Sequence, residues 1–239
     1  MNRIPCPPHW KLGAFICAIS LAVYGQSTNT AIQPIPRESA WIVRHEGFLA
    51  EAKQIRPKVV FLGDSITDAW RTEGKAVWDE HFAPLNAANF GIDGDRTQHV
   101  LWRIQNGEFD SIKPKVIVLM IRTNNTPKGR NTPPEVIEGI TAVVRRLRSK
   151  LPETKILLLA IFPRGQKGDL IRDQLREINA AISKLNDGKW VRFLDINSKF
   201  LQTDGTLSTE IMPDLLHPNQ NGYRVWADAI RAELAAMMK

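Results

Sequence analysis

The chain has 239 residues, of which 43% are hydrophobic and 24% charged. Those proportions exclude a disordered, collagen-like or coiled-coil chain and suit one α/β domain. The formal net charge of +7 permits long-range attraction to an anionic surface. No nucleic-acid-binding module is visible, and the densest basic cluster (Arg145, Arg146, Arg148, Lys150) closes a predicted helix, where cations suit the dipole.

Residues 2–11 carry Arg3 and Lys11 and no acid; Leu12–Tyr24 is an apolar run, and the small Val23 and Gly25 suit cleavage before Gln26. That is the layout of a secretory signal peptide over residues 1–25, implying a secreted or periplasmic protein. The run is short for a spanning helix, which needs about 20 apolar residues, so an N-terminal membrane anchor is the competing reading. Both cysteines, Cys6 and Cys17, lie in this segment. The cleaved chain would keep no membrane span, disulfide, thiol nucleophile or zinc–thiolate site.

Residues 26–40, with Pro34 and Pro36, read as a short lead-in, and a single domain is expected over 41–239. Strands are predicted at Val59–Leu62, Asn86–Phe90, Val116–Ile121, Ile156–Ile161 and Val191–Asp195. Their continuous apolar runs suit a parallel sheet covered on both faces. Helices are predicted from Pro133 to Lys150, from Leu170 to Leu185 and from Gln220 to Met238. Alternating strands and helices imply right-handed crossovers and a three-layer α/β/α sandwich around a five-stranded sheet. In such sheets, sites form beyond the carboxyl ends of strands.

Four segments with chemical potential fall on that rim. Gly63-Asp64-Ser65-Ile66-Thr67 follows the first strand and puts Ser65 at a helix N-terminus, where negative charge is favoured. Asp214-Leu215-Leu216-His217 precedes the last helix, and one turn there lets the carboxylate orient the imidazole. His45, His81 and His99 fall in predicted helices with no carboxylate at that spacing, so His217 is the best base candidate. Oxyanion donors could come from Asn89-Phe90-Gly91-Ile92-Asp93-Gly94-Asp95 or from Thr123-Asn124-Asn125-Thr126. Each segment alone reads equally as a cap or a turn; together, on one rim, they indicate an enzyme.

These blocks make the sequence similar to the SGNH (GDSL) hydrolases, whose four block residues match Ser65, Gly91, Asn124 and His217. The stretch Asn89–Leu119, with TNN, FPRG (Phe162–Gly165) and DLLHPNQNGY, especially resembles the catalytic subunits of intracellular platelet-activating-factor acetylhydrolases and their bacterial relatives. The resemblance spans about Trp41 to the C-terminus. It implies a flavodoxin-like fold and no metal or other cofactor. It also implies attack of Ser65 on an ester carbonyl, with His217 as base and Asp214 orienting it. The Ser65 and Gly91 N–H groups and the Asn124 side chain would hold the oxyanion. The expected substrates are short acyl esters, acetyl esters of carbohydrates or glycans foremost. Dimers occur among such relatives, so a homodimer is a further expectation.

One position departs from the pattern. Arg122 stands where the family usually has glycine, two residues before the block asparagine. It would strain the backbone if φ there is positive. It could fill the acyl pocket and impair activity, bind a carboxylate or phosphate of the substrate, or turn to solvent. It keeps open the rival reading of a binding protein or a weak esterase. A third reading, an acyltransferase, shares the same residues.

Overall fold

The computed structural model describes Met1, residues 29–126 and residues 130–239. The predicted leader, residues 1–25, lies outside the described residues apart from Met1. Among the described residues five parallel strands form one sheet: β1 Val59–Gly63, β2 Ala87–Gly91, β3 Val116–Met120, β4 Lys155–Leu159 and β5 Val191–Leu194. Their order is β2-β1-β3-β4-β5. This is the flavodoxin-like doubly wound order, with a switch point between β1 and β3.

Among the described residues seven α-helices cover the sheet: α1 Ser39–Ile55, α2 Ser65–Asp68, α3 Lys75–His81, α4 Thr97–Gln105, α5 Pro133–Lys150, α6 Leu170–Ile182 and α7 Gln220–Met237. Strand residues alternate between two cores, as the period-2 geometry of a strand requires. Val60, Leu62, Ile117, Leu119, Ile156 and Leu158 face α1, α4, α5 and α6. Val59, Phe61, Val116, Val118, Leu157 and Leu159 face α3 and α7. Each face buries its own apolar set, so a one-residue register slip would invert both cores.

Local signals set the ends of these elements. Thr132 and Glu135 form a capping box at the start of α5, and Pro133 occupies its first turn, where no N–H is needed. The helix predicted to reach Leu185 ends as α-helix at Ile182 and continues as a 3-10 turn, Ser183–Leu185. The lead-in is more than a tether from residue 29 onward: Ala31 is buried, and its carbonyl accepts from Thr97 Oγ1 at 2.7 Å. Among the described residues no helix is long and apolar enough to cross a membrane.

Candidate active site

Ser65 opens α2 directly beyond β1. Asp64 caps that helix by accepting from Ile66 N–H at 3.2 Å, and Ser65, as the first helical residue, keeps an N–H without an intrahelical acceptor. From the same side of the sheet, Tyr223 of α7 donates its hydroxyl to the Ile66 carbonyl at 2.6 Å. That buried bond fixes the nucleophile's helix to the last helix. Asn219 caps α7 by accepting from Asn221 and Gly222 N–H, and so anchors the loop that precedes it.

That loop carries the second half of the site. Asp214 Oδ1 accepts from the N–H groups of Leu216 and His217, at 3.0 and 2.7 Å. Leu215 takes φ 59, a left-handed conformation that costs a non-glycine residue roughly 1–2 kcal/mol. The resulting turn places Asp214 Oδ2 2.7 Å from His217 Nδ1, and His217 Nε2 3.1 Å from Ser65 Oγ. Burial alone would raise the pKa of Asp214; the backbone N–H groups and the His217 ring outweigh it and hold the carboxyl below its usual value. Asp214 is therefore an anion beside the imidazole. The arrangement can move a proton from Ser65 to His217 while Asp214 stabilises the cation that forms.

The expected oxyanion donors fare unequally. Gly91 does not present its N–H: it donates to Asn89 Oδ1 at 2.9 Å. A Cβ at Gly91 would strike the Asp68 backbone, so this glycine lets β2 approach α2. In the same turn Gly94 has φ 76 and follows Asp93, a lining residue of the cleft beside Ser65. Asn124 Nδ2 donates to the Asp95 carbonyl at 3.0 Å, which uses one of its two N–H groups. Asn125 points inward, with its amide spent on Thr97, Gln98 and Asn131.

Arg122 is fully buried, which removes the solvent-facing reading. Its φ is 148, in the region essentially reserved for glycine. Nε, Nη1 and Nη2 have no hydrogen-bond partner among the described residues. Burial, then the nearby Arg164 charge, push its pKa down to about 9, with Asp64 opposing.

Sequence reasoning missed a buried ion network behind the rim. Arg103 on α4 lies 3.0 Å from Asp95 and 2.5 Å from Glu108. It also donates to the Phe90 carbonyl at 2.9 Å, and Trp41 Nε1 donates to Asp95 at 2.7 Å. Arg103 thus ties the end of β2 to the residue whose carbonyl holds Asn124. Spacing within α4 could not reveal this, because the partners come from three separate segments. His99 meets Asp95 four residues back at 3.6 Å, but it is buried and its Nδ1 accepts the Arg96 N–H.

Asp64 gives a pH prediction. Burial pushes its pKa up from 3.8 to about 6, against the N–H groups of Ile66, Arg122 and Thr123. The folded state therefore keeps a proton between those values that the unfolded chain has lost. Stability from this group is complete below about 3.8 and declines as pH rises to about 6. The urea midpoint of the parent should fall across that window, and that of Asp64→Asn should fall less. Equal slopes would mean that Asp64 is ionised throughout.

An open cleft of about 660 Å³ adjoins Ser65 and His217. Arg44, Asp68, Arg71, Glu73, Asp93 and Asn219 contribute polar groups to its walls, while most of the exposed lining surface is carbon. Among the described residues no cluster of three or more His, Cys, Asp or Glu side chains could hold a metal ion.

Residues 61–225 match the model of the GDSL-like Lipase/Acylhydrolase family. The chain is 36% identical over 213 residues to human platelet-activating factor acetylhydrolase IB subunit alpha1, covering 89% of this chain and 90% of that protein. Among solved structures it resembles a GDSL-like lipase from Bacteroides thetaiotaomicron, with TM-score 0.65, 17% identity, and coverage of 80% of this chain and 97% of that one. It also resembles an acetylxylan esterase from Geobacillus stearothermophilus, with TM-score 0.58, 19% identity, and coverage of 74% and 94%. The fold, the family match and the full-length likeness converge: the chain belongs to the GDSL-like lipase/acylhydrolase family, and with it to the carboxylic ester hydrolases.

Proposed function

We propose that the protein is a serine esterase that removes short acyl groups from polar alcohols, with acetylated carbohydrates as the leading substrate class. The observation that carries this reading is the continuous chain Ser65–His217–Asp214, at 3.1 and 2.7 Å. Ser65 Oγ attacks the ester carbonyl as His217 Nε2 takes its proton. The tetrahedral oxyanion is held by the Ser65 N–H, by the second N–H of Asn124 and by the Gly94 amide in place of Gly91. His217 returns the proton to the departing alcohol, leaving an acyl-enzyme. Water, deprotonated by His217, then releases the acid and restores Ser65.

The charged and polar side chains that line the open cleft, Arg44, Arg71, Glu73 and Asn219 among them, can hydrogen-bond a hydroxylated leaving group. The acetylxylan esterase likeness and the predicted export signal point the same way. Release from the cell would put the enzyme where glycans are.

Hydrolysis of p-nitrophenyl acetate, then of acetylated sugars against octanoyl esters, tests this. We expect activity on the short esters that disappears in Ser65→Ala. Preference for acyl chains of eight carbons or more would overturn the substrate assignment. Buried Arg122 favours a second reading, a binding protein of the same fold; retention of binding with no turnover in the parent would establish it.

A further inference from the structure

We propose that the acyl side of this site binds a carboxylate, so that the esters cleaved include half-esters of short dicarboxylic acids. This rests on the esterase reading above for its reaction, though not for its binding. Arg122 is joined to the nucleophile by one side chain: the N–H groups of Arg122, Thr123 and Ile66 converge on Asp64, next to Ser65. Its guanidinium is buried with all three nitrogens unpartnered among the described residues. A buried cation without a partner is costly, and strain at φ 148 adds to the cost. Such a combination persists where a partner arrives from outside.

A second guanidinium stands beside it. Arg164, half-buried on the loop after β4, donates Nη1 to the Thr123 carbonyl at 3.1 Å. It lines a groove with Thr126, Asp169, Asp214, Leu215 and Leu216, and Leu216 immediately precedes His217. Arg122 and Arg164 therefore flank Thr123 from two strand ends, and Asp214 lines both the groove of Arg164 and the cleft of Ser65 and His217. The nearby anions are engaged elsewhere: Asp64 by the three N–H groups, Asp214 by His217, and Asp169 by the Gln166 N–H at 2.7 Å. A planar carboxylate matches the guanidinium fork, and in a partly dry site each such bond is charge-assisted.

The test has a kinetic and a binding arm. The kinetic arm compares kcat/KM for p-nitrophenyl hemisuccinate and p-nitrophenyl butyrate, which differ at the acyl terminus by a carboxylate. We expect the parent to favour the hemisuccinate by about tenfold or more, and Arg164→Gln and Arg122→Gly each to erase most of that ratio. The binding arm measures succinate, butyrate and inorganic phosphate against Ser65→Ala by calorimetry. Succinate should bind detectably more tightly than butyrate, and Arg164→Gln added to Ser65→Ala should remove the difference. A parent ratio at or below one, a ratio unchanged in both variants, or phosphate binding in preference to succinate overturns the proposal. Should no ester be turned over, the esterase reading fails on its own, and the calorimetry still decides whether the carboxylate site exists.

Discussion

Arg122→Gly should raise the stability of the fold by about 3 kcal/mol or more, a change seen as a higher urea midpoint with the same slope. Two separable costs are removed. A non-glycine residue at φ 148 carries roughly 1–3 kcal/mol of backbone strain, and a guanidinium buried without a partner adds a desolvation cost of several kcal/mol in effective terms. Arg122→Ala separates them: it removes the charge and keeps the Cβ, so it should recover the second cost and not the first. A cavity left by the arginine offsets part of the gain in both variants. Lower stability in Arg122→Gly would mean that the side chain makes attractive contacts the burial pattern does not reveal. Hydrolysis of neutral acetyl esters should be retained or increased in the glycine variant, because the family's usual residue then stands beside the nucleophile.

Asp214→Asn should lower kcat on p-nitrophenyl acetate by about 10²–10⁴-fold with little change in stability. The Asp214 oxygen facing the ring accepts from His217 Nδ1 at 2.7 Å, which keeps Nε2 unprotonated toward Ser65. An asparagine can keep Oδ1 on the two backbone N–H groups and so preserve the turn. It then presents an amide N–H to Nδ1, which selects the tautomer with its proton on Nε2, and that nitrogen can no longer accept from Ser65. Asp214 is about half exposed, so water can restore part of the correct tautomer, and the lower end of the range is the more natural expectation. An unchanged rate would remove Asp214 from the mechanism and leave His217 acting without an orienting carboxylate.

How much could be read from the residues alone differs by feature. The central strands β1, β3 and β4 were legible because their apolar runs answer to burial on both faces, whereas the edge strands β2 and β5 carry weaker patterns, and the strand ends located the rim. The Asp214–His217 pair was legible because its geometry is local, closed within one turn. The oxyanion donors were less so: NFGIDGD holds two glycines, and the choice between Gly91 and Gly94 depends on which amide the Asn89 side chain claims. The Asp95–Arg103–Glu108 network was not legible, since its members meet only after α4 folds back across the ends of β1 and β2. Arg122 marked itself as a departure. That it would be buried, unpartnered and at positive φ required the fold around it.

Labelling with a fluorophosphonate probe, followed by peptide mapping, tests whether Ser65 is an activated nucleophile. We expect one adduct, on the peptide that contains Ser65, absent in Ser65→Ala and formed far more slowly in His217→Ala. No adduct in the folded parent, or an adduct that survives in Ser65→Ala, would contradict that role.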